Sequence, residues 1–221
     1  MPIYQLAIRG TLAAKNVDSA RAIHNETAGA PANVAAAKSL GDLSHMVYTP
    51  APQSTLGAKE FLILDLWNSA DGLNKFFANK DVQEQAGRIF SERDPVVWAP
   101  AEGFESYSLP TPYGKNDRVV ALVRGNVRSR DAARPTHNAL VSSGLNKARL
   151  AGAVSHTAYF RMMPPNEPPS TEFFSVDVWS DAKQMDAYYR DPDFGRGFQE
   201  LWASAPMTSV WTHPAGDWVE W

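Results

Sequence analysis

Two stretches of the chain alternate their side chains with a period of two. In EFLILDLW (residues 60–67), three leucines fall on one face, while the other face includes Asp65 and Trp67. EFFSVDVW (residues 172–179) repeats this arrangement. Such alternation predicts half-buried strands. Because one face is purely apolar, we expect that face to meet helices and the aspartates to turn toward the opposite face, inside a barrel of two sheets.

The duplication extends beyond these two strands. Residues 60–82 match residues 172–194 without a gap, DSARAIHN (18–25) matches DAARPTHN (131–138), and SHMVY matches SHTAY further along. Each copy predicts the order β-α-β-β-α-β, with its second helix broken in two, which is the ferredoxin-like unit. The sheet of such a unit has a second face to bury, and two copies can bury these faces against each other. The predicted fold is α+β: two ferredoxin-like β-α-β-β-α-β repeats packed sheet to sheet as an intrachain dimeric α+β barrel.

The boundary between the copies follows from composition. SLPTPYGKNDR (residues 108–118) is rich in proline, glycine and polar residues, which is typical of a connection. We therefore expect an N-terminal repeat over residues 1–109, a linker over 110–117 and a C-terminal repeat over 118–221.

The segments DLWNSADGLNKF and DVWSDAKQMDAY each carry a strand that ends in tryptophan, followed by a serine-type helix start. With the tandem repeat, they resemble the antibiotic-biosynthesis-monooxygenase (ABM) superfamily. That resemblance implies a substrate-binding role for Trp67 and Trp179, since in the cofactor-independent monooxygenases a tryptophan here and a nearby asparagine help to bind a polyphenol. The superfamily also includes muconolactone isomerases, haem-degrading enzymes, haem peroxidases and proteins of unknown role.

Charge and composition limit the classes of molecule that the protein can bind. A net charge of −3 without a long basic run argues against nucleic acid, and the absence of cysteine excludes disulfides and thiolate metal sites. No stretch approaches the roughly 20 apolar residues of a membrane span. We expect a cytoplasmic protein that acts on a small molecule, with no nucleic-acid or membrane partner, as a monomer with pseudo-twofold symmetry or a homodimer.

Four of the five histidines fall at two repeated positions. These four are the candidate catalytic residues, because imidazole titrates near pH 6.5 and serves as acid or base: His24, His45, His137 and His156. If the strand histidines point to the helix side, each approaches a helix histidine. The same geometry could hold a metal with one Asp or Glu.

The residue after each helix histidine is an asparagine, about 100° further around the helix. One residue of each pair therefore binds or reacts, and the other caps or orients. Pro135 indicates that His137 lies early in its helix or beside a kink, so we expect the two pockets to differ. The candidate substrate-binding residues are Asn25, Asn138, Trp67, Trp179, Tyr48 and Tyr159.

The two strand aspartates need partners if they are buried. Arg9 and Arg124 lie on the predicted first strands, which neighbour the third strands in this fold. We therefore expect Asp65 and Asp177 to form supporting ion pairs with these arginines.

Three functions remain open. The first is an organic-cofactor-independent oxygenase or isomerase that acts on a cyclic phenolic or lactone-like substrate through histidine acid-base chemistry. The second is an enzyme that uses haem or a divalent metal on histidine ligands. The third is a non-catalytic ligand-binding protein. We expect an enzyme, with no cofactor and no metal site.

Overall fold

The computed structural model describes residues 2–109 and 118–221, so the predicted linker at 110–117 lies outside the described residues. The chain forms two compact units. Unit 1 comprises Met1–Pro50, Leu56–Ala99 and Pro214–Trp221, and unit 2 comprises Ala51–Thr55 and Pro100–His213.

Unit 1 carries an antiparallel sheet in the order β4-β1-β3-β2. Its strands and helices alternate along the chain in the predicted order, except that the first helix is also broken in two. The elements are β1 (Tyr4–Leu12), α1 (Val17–Glu26), α2 (Pro31–Ser39), β2 (Asp42–Pro50), β3 (Glu60–Trp67), α3 (Ala70–Phe77), α4 (Lys80–Ile89) and β4 (Phe90–Pro100).

Unit 2 repeats the arrangement in the antiparallel order β9-β6-β8-β7-β5. The elements are β5 (Tyr107–Ser108), β6 (Val119–Asn126), α5 (Arg130–Leu150), β7 (Ala153–Arg161), β8 (Glu172–Trp179), α6 (Ala182–Tyr189), α7 (Pro192–Glu200) and β9 (Met207–Thr212). The α+β class with two ferredoxin-like repeats is thereby confirmed. No helix in the described residues is long and apolar enough to cross a membrane.

The first helices of the two units differ for a local reason. In unit 1 the chain stops being helical after Glu26 and restarts at Pro31, which occupies the first turn of α2. A proline there loses no hydrogen bond. Gly29 lies between the helices, and a Cβ on it would come within 2.7 Å of Val219 Cβ. In unit 2, α5 continues unbroken through Pro135.

The sheet face that meets the helices is the opposite of the one we expected. Phe61, Ile63 and Trp67 belong to the same buried core as the helical residues Ala37 and Leu73. The aromatic face therefore packs on the helices and takes Asp65 with it. Large rings fill the space between sheet and helices, and the buried carboxylate is tolerated there because it finds a partner on the neighbouring strand.

Two segments that follow the last strand of a repeat belong to the other unit. We call residues 101–109 the first arm and Pro214–Trp221 the second arm. The first arm is part of unit 2, where Tyr107 pairs with His156. The second arm is part of unit 1, where Trp221 and His45 exchange backbone hydrogen bonds of 2.8 and 3.3 Å. Each arm therefore extends a sheet beside its second strand, a placement that the predicted repeat boundaries did not contain.

Candidate functional site

Unit 1 contains a buried relay of one aspartate and two histidines. His45 on β2 lies directly opposite Asp65 on β3, so both side chains occupy the same face of the sheet. His45 Nδ1 is 2.7 Å from Asp65 Oδ1, and His45 Nε2 is 2.8 Å from His24 Nε2 on α1. The exposed fraction is 5% for His45 and 0% for His24. The helix and strand histidines thus form a hydrogen-bonded pair, extended by Asp65.

Unit 2 repeats this relay. His156 Nδ1 is 2.5 Å from Asp177 Oδ1, and His156 Nε2 is 3.0 Å from His137 Nε2. The helix histidines therefore make equivalent contacts in the two units despite Pro135. The pockets differ through other residues, described below.

The asparagine that follows each helix histidine binds the backbone of an arm. Asn25 Nδ2 donates to the Asp217 carbonyl at 2.7 Å, and the Val219 amide donates to Asn25 Oδ1 at 3.0 Å. In unit 2, Asn138 Nδ2 likewise donates to the Gly103 carbonyl, and the Glu105 amide donates to Asn138 Oδ1. The amide groups of both asparagines are thus occupied by arm backbone, and their substrate-binding role stays a prediction.

Aromatic residues of the arms cover the relay histidines. In unit 1, Trp218 lies edge-on to His24, and Trp221 stacks on His45 with ring centroids 4.7 Å apart. In unit 2, these places are taken by Phe104 over His137 and Tyr107 over His156. These rings are not among the predicted site residues, because the predicted boundaries place each arm in the repeat that precedes it. The signal was present as two aromatics spaced by three in each arm, in FESY and WVEW.

Burial and neighbouring charges shift the pKa values of the two unit 1 relay histidines in opposite directions. Burial, and then the charge of His45, lower the pKa of His24 to about 4. Burial alone would also lower the pKa of His45, but the adjacent Asp65 carboxylate outweighs it and leaves that pKa raised. In unit 2, burial and then His156 lower the pKa of His137 to about 4. Both helix histidines are therefore neutral at pH 7.

Asp42 gives unit 1 a second carboxyl group, which lines the same cavity as His45 and Asp65. It is 5% exposed, and its Oδ1 has no hydrogen-bond partner among the described residues. Burial, and then the charge of Asp65, raise its pKa to about 8. The corresponding β7 residue, opposite Trp179 as Asp42 is opposite Trp67, is Ala153. Unit 1 alone therefore carries a carboxyl pair at this position.

Unit 2 surrounds its relay carboxylate with tyrosines. Tyr107, Tyr188 and Tyr189 line one cavity with Asp177, and burial followed by the charge of Asp177 raises the pKa of each phenol, to about 12 for Tyr188. These hydroxyls stay protonated at neutral pH and are available as hydrogen-bond donors. The corresponding rings in unit 1 carry no hydroxyl: they are Trp221, Phe76 and Phe77.

The cavities differ in size. The cavity beside each relay holds about 60 Å³, enough for a few water-sized groups. Unit 2 has a further cavity of about 710 Å³ between β6, β9 and the helices α6 and α7. This volume lies in the range of small-molecule sites. The two unit 2 cavities share the wall residues Val123, Tyr189, Phe194, Phe198 and Trp202.

The predicted aspartate–arginine pairs are corrected. Arg9 lies opposite Leu62, on the sheet face that Asp65 does not share, and its Nε donates to Glu60 at 2.9 Å. Arg124 likewise donates to Glu172 at 2.6 Å. The arginines therefore support the strands on one face, while Asp65 and Asp177 pair with histidine on the other.

The four aromatic residues predicted to bind substrate lie in different surroundings. Tyr48 and Tyr159 lie opposite Leu62 and Phe174, on the face away from the relays. Trp67 is 0% exposed and packs against phenylalanines, which leaves no surface for stacking on a substrate. Trp179 is also buried, but it lines the small unit 2 cavity and its Nε1 donates to Tyr189 Oη at 3.2 Å.

The relay histidines do not fit the role of metal or haem ligands. A ligating histidine needs a ring nitrogen with a free lone pair. Each ring nitrogen of the four relay histidines already has a protein partner within 3.1 Å. Within the part of the chain that the structure describes, no group of three or more acidic or histidine side chains could hold a metal ion.

Comparison with known proteins identifies the class of fold. The chain is similar to an anthrone oxidase-like protein (13% identity, TM-score 0.64, covering 97% of this chain and 92% of that one). It is also similar to a candidate monooxygenase from Lactobacillus acidophilus NCFM (13% identity, TM-score 0.60, 96% and 93% covered). A further neighbour from Listeria monocytogenes is a ferredoxin-fold protein related to antibiotic biosynthesis monooxygenases. The resemblance to the ABM-type dimeric α+β barrel is confirmed as a likeness of fold.

Other neighbours are haem-related. The haem-degrading enzyme LmHde from Listeria monocytogenes matches with 9% identity and a TM-score of 0.50, covering 95% of this chain and 99% of that one. Most neighbours are enzymes, in agreement with our expectation of an enzyme. No protein-family model matches the chain, and neither does any curated protein sequence.

Proposed function

We propose that the protein is an enzyme that removes a proton from a carbon conjugated with a carbonyl or phenolic oxygen of a cyclic, largely apolar substrate, and that unit 2 holds the site. One observation carries the proposal: Asp177 and three protonated tyrosines line one cavity, which shares a wall with an aromatic-lined cavity of about 710 Å³. A carboxylate base combined with neutral hydroxyl donors is an arrangement suited to stabilising an enolate.

We propose the following steps. The substrate ring occupies the large cavity among Phe194, Phe198 and Trp202, with its acidic carbon toward Asp177. The Asp177 carboxylate takes the proton, and the negative charge moves to the substrate oxygen. A tyrosine hydroxyl donates a hydrogen bond to that oxygen. The histidines act behind Asp177, because both of their ring nitrogens are engaged within the protein.

Two outcomes follow from the same deprotonation. With O2 as the oxidant, the electron-rich carbon adds to O2, and the resulting hydroperoxide loses water, so that CH2 and O2 become C=O and H2O. Without O2, the proton returns to another carbon and the substrate isomerises. The likeness to an anthrone oxidase-like structure favours the oxygenase, and no organic cofactor takes part in either scheme.

The test uses anthrone and related cyclic ketones, phenols and lactones. Deprotonation is followed by hydrogen–deuterium exchange at carbon, and oxidation by an oxygen electrode. We expect Asp177→Asn to lower both rates by about 10²–10⁴-fold, with Asp65→Asn as the matched change in unit 1. Full activity in folded Asp177→Asn would contradict the role of Asp177, and no exchange or O2 uptake across the panel would favour the non-catalytic binding protein.

Substrate binding is tested by filling the large cavity. Gly195 on α7 lines it, and a Cβ there meets nothing within 4 Å. Gly195→Leu should therefore lower affinity at least tenfold without loss of stability, since leucine favours helix over glycine. Gly87→Leu on α4 is the control, because its Cβ also meets open space and Gly87 does not line the cavity beside the unit 1 relay.

The cofactor expectation is tested on the protein as purified. Absorption spectroscopy and elemental analysis of an active preparation should show neither a Soret band nor stoichiometric metal. A Soret band that tracks with activity would replace this proposal with the haem-dependent alternative.

A further inference from the structure

The orientation of each relay asparagine is fixed by groups that cannot change their polarity. The Asp217 carbonyl can only accept a hydrogen bond, and the Val219 amide can only donate one. Asn25 therefore turns Nδ2 toward Asp217 and Oδ1 toward Val219, at 2.7 and 3.0 Å. No alternative placement of the amide oxygen and nitrogen satisfies both contacts.

This orientation determines which nitrogen of His24 carries the proton. Asn25 Oδ1 lies 3.1 Å from His24 Nδ1 and can only accept, so Nδ1 must be the protonated nitrogen. His24 is neutral at pH 7, since burial, followed by the charge of His45, lowers its pKa to about 4. Its Nε2 then carries a lone pair.

The tautomer of His24 in turn determines the protonation of His45 on the strand. His24 Nε2 lies 2.8 Å from His45 Nε2, and an acceptor on one side requires a donor on the other. His45 must therefore be protonated at Nε2, while its Nδ1 faces the Asp65 carboxylate at 2.7 Å. Both ring nitrogens of His45 carry a proton, and the relay contains an imidazolium paired with a carboxylate.

Unit 2 has the same sequence of contacts. The Gly103 carbonyl and the Glu105 amide orient Asn138 at 2.9 and 2.8 Å. Asn138 Oδ1 then accepts from His137 Nδ1 at 3.1 Å, and His137 Nε2 accepts from His156 at 3.0 Å.

We infer that the arms set the protonation of the relays: Asn25 and Asn138 are positioning residues that transmit the polarity of the arm backbone to His45 and His156 and hold each as an imidazolium. A relay without its arm can instead protonate His24 on Nε2, which leaves His45 neutral with its proton on Nδ1. Docking of an arm therefore adds one proton to the relay.

Neighbouring charged groups change the pKa values of the relay histidines, but they do not determine which ring nitrogen of a helix histidine carries the proton. Asp65, Asp42 and Glu220 face His45 and favour its protonated form. His45 and Glu220 act on His24 with opposite signs, and in unit 2 the groups that act on His137 are His156, Asp177 and Glu105. None of them accepts a hydrogen bond from Nδ1 of a helix histidine, which is the contact that the asparagine provides.

The test is ¹⁵N NMR of the full-length protein labelled at histidine, since the shift of each ring nitrogen distinguishes a protonated from an unprotonated nitrogen. In the wild type at pH 7 we expect His24 and His137 as the Nδ1–H tautomer, and His45 and His156 protonated on both nitrogens. An Nε2–H tautomer at His24 or His137 would overturn the inference without any variant.

Three variants separate positioning from a merely structural role. Asn25→Leu should convert His24 to a mixture of tautomers and lower the pKa of His45, while His137 in the same sample stays unchanged as an internal control. Asn25→Asp keeps an acceptor and should keep the Nδ1–H tautomer. Asn138→Leu should reverse the pattern between the units. Retention of the wild-type tautomer in folded Asn25→Leu would refute the role of the asparagine. The measurement needs no substrate, so it stands or fails independently of the proposed function.

Discussion

Replacing Asp42 with asparagine should remove a loss of stability that the wild type suffers as pH rises. Asp42 is 5% exposed, and burial, then the charge of Asp65, raise its pKa from 3.8 to about 8. The folded state therefore holds this proton more tightly than the unfolded state. The resulting stabilisation is fully present below pH 4 or so and is lost as pH rises through the folded pKa.

The magnitude follows from the slope for one proton, about 1.4 kcal/mol per pH unit. Between about pH 5 and pH 7.5, the wild type should lose roughly 3 kcal/mol relative to Asp42→Asn. The buried helix histidines act in the opposite sense. Their folded pKa of about 4 lies below 6.5, so their contribution is present above about pH 6.5 and is lost as pH falls toward 4. The wild type and Asp42→Asn share this loss of stability at low pH, so the difference between their free energies of unfolding reports on Asp42 alone.

The assay is urea unfolding by fluorescence and circular dichroism across about pH 5 to 8. Ala153→Asp is the reciprocal control, because it places a carboxyl at the matching position beside Asp177 and should create the alkaline loss in unit 2. Parallel stability curves for wild type and Asp42→Asn over this range would refute the assignment of a protonated Asp42.

Three further predictions concern stability. Asp65→Asn leaves the His45 imidazolium buried without a counter-charge and should lower the free energy of unfolding by about 3–5 kcal/mol, measured by urea denaturation at pH 7. In unit 1, Trp67 Nε1 lacks a hydrogen-bond partner among the described residues, whereas in unit 2 Tyr189 supplies one to Trp179. Phe77→Tyr should therefore raise the free energy of unfolding by about 1 kcal/mol, and Tyr189→Phe should lower it by a similar amount. Arg161→Ala removes a half-exposed ion pair with Glu172 at 3.0 Å and should change thermal stability by less than about 1 kcal/mol, so a larger loss would contradict its peripheral role.

The repeat and the order of elements could be predicted because both are local properties. The gapless match between residues 60–82 and 172–194 fixes two copies, and the change from period two to helical spacing fixes the element types. The pairing of His45 with Asp65 was also within reach. Residues directly opposite on neighbouring strands share a face, and a one-residue choice of register decides the pair.

The orientation of β3 could not be decided by polarity alone. The leucine face is more uniformly apolar, but the face with Phe61 and Trp67 has larger side chains, which fill the space under the helices. Asp65 could lie there only because His45 meets it from β2. The rule that a polar residue turns away from the helix layer fails when a partner lies on the same face of the next strand.

The arms escaped prediction because nothing local separates them from the strands that precede them. Their partners lie far away in the sequence: Asn25 is 192 residues from Asp217. The positive φ angles of Gly103 and Gly216, 79° and 96°, mark a sharp turn at a similar place in both arms, each against an arginine of the helix it covers. Only long-range contacts show that these turns direct the chain onto the other unit's relay.

The two units share one device and differ in what surrounds it. The contacts from arm backbone through asparagine and two histidines to aspartate are the same in both, atom for atom. The cavity walls differ: unit 1 has Asp42 and two phenylalanines at the positions where unit 2 has Ala153 and two tyrosines. The His-Asn pairs therefore connect the arm backbone to the relay aspartate in both units, while the residues around this connection have changed.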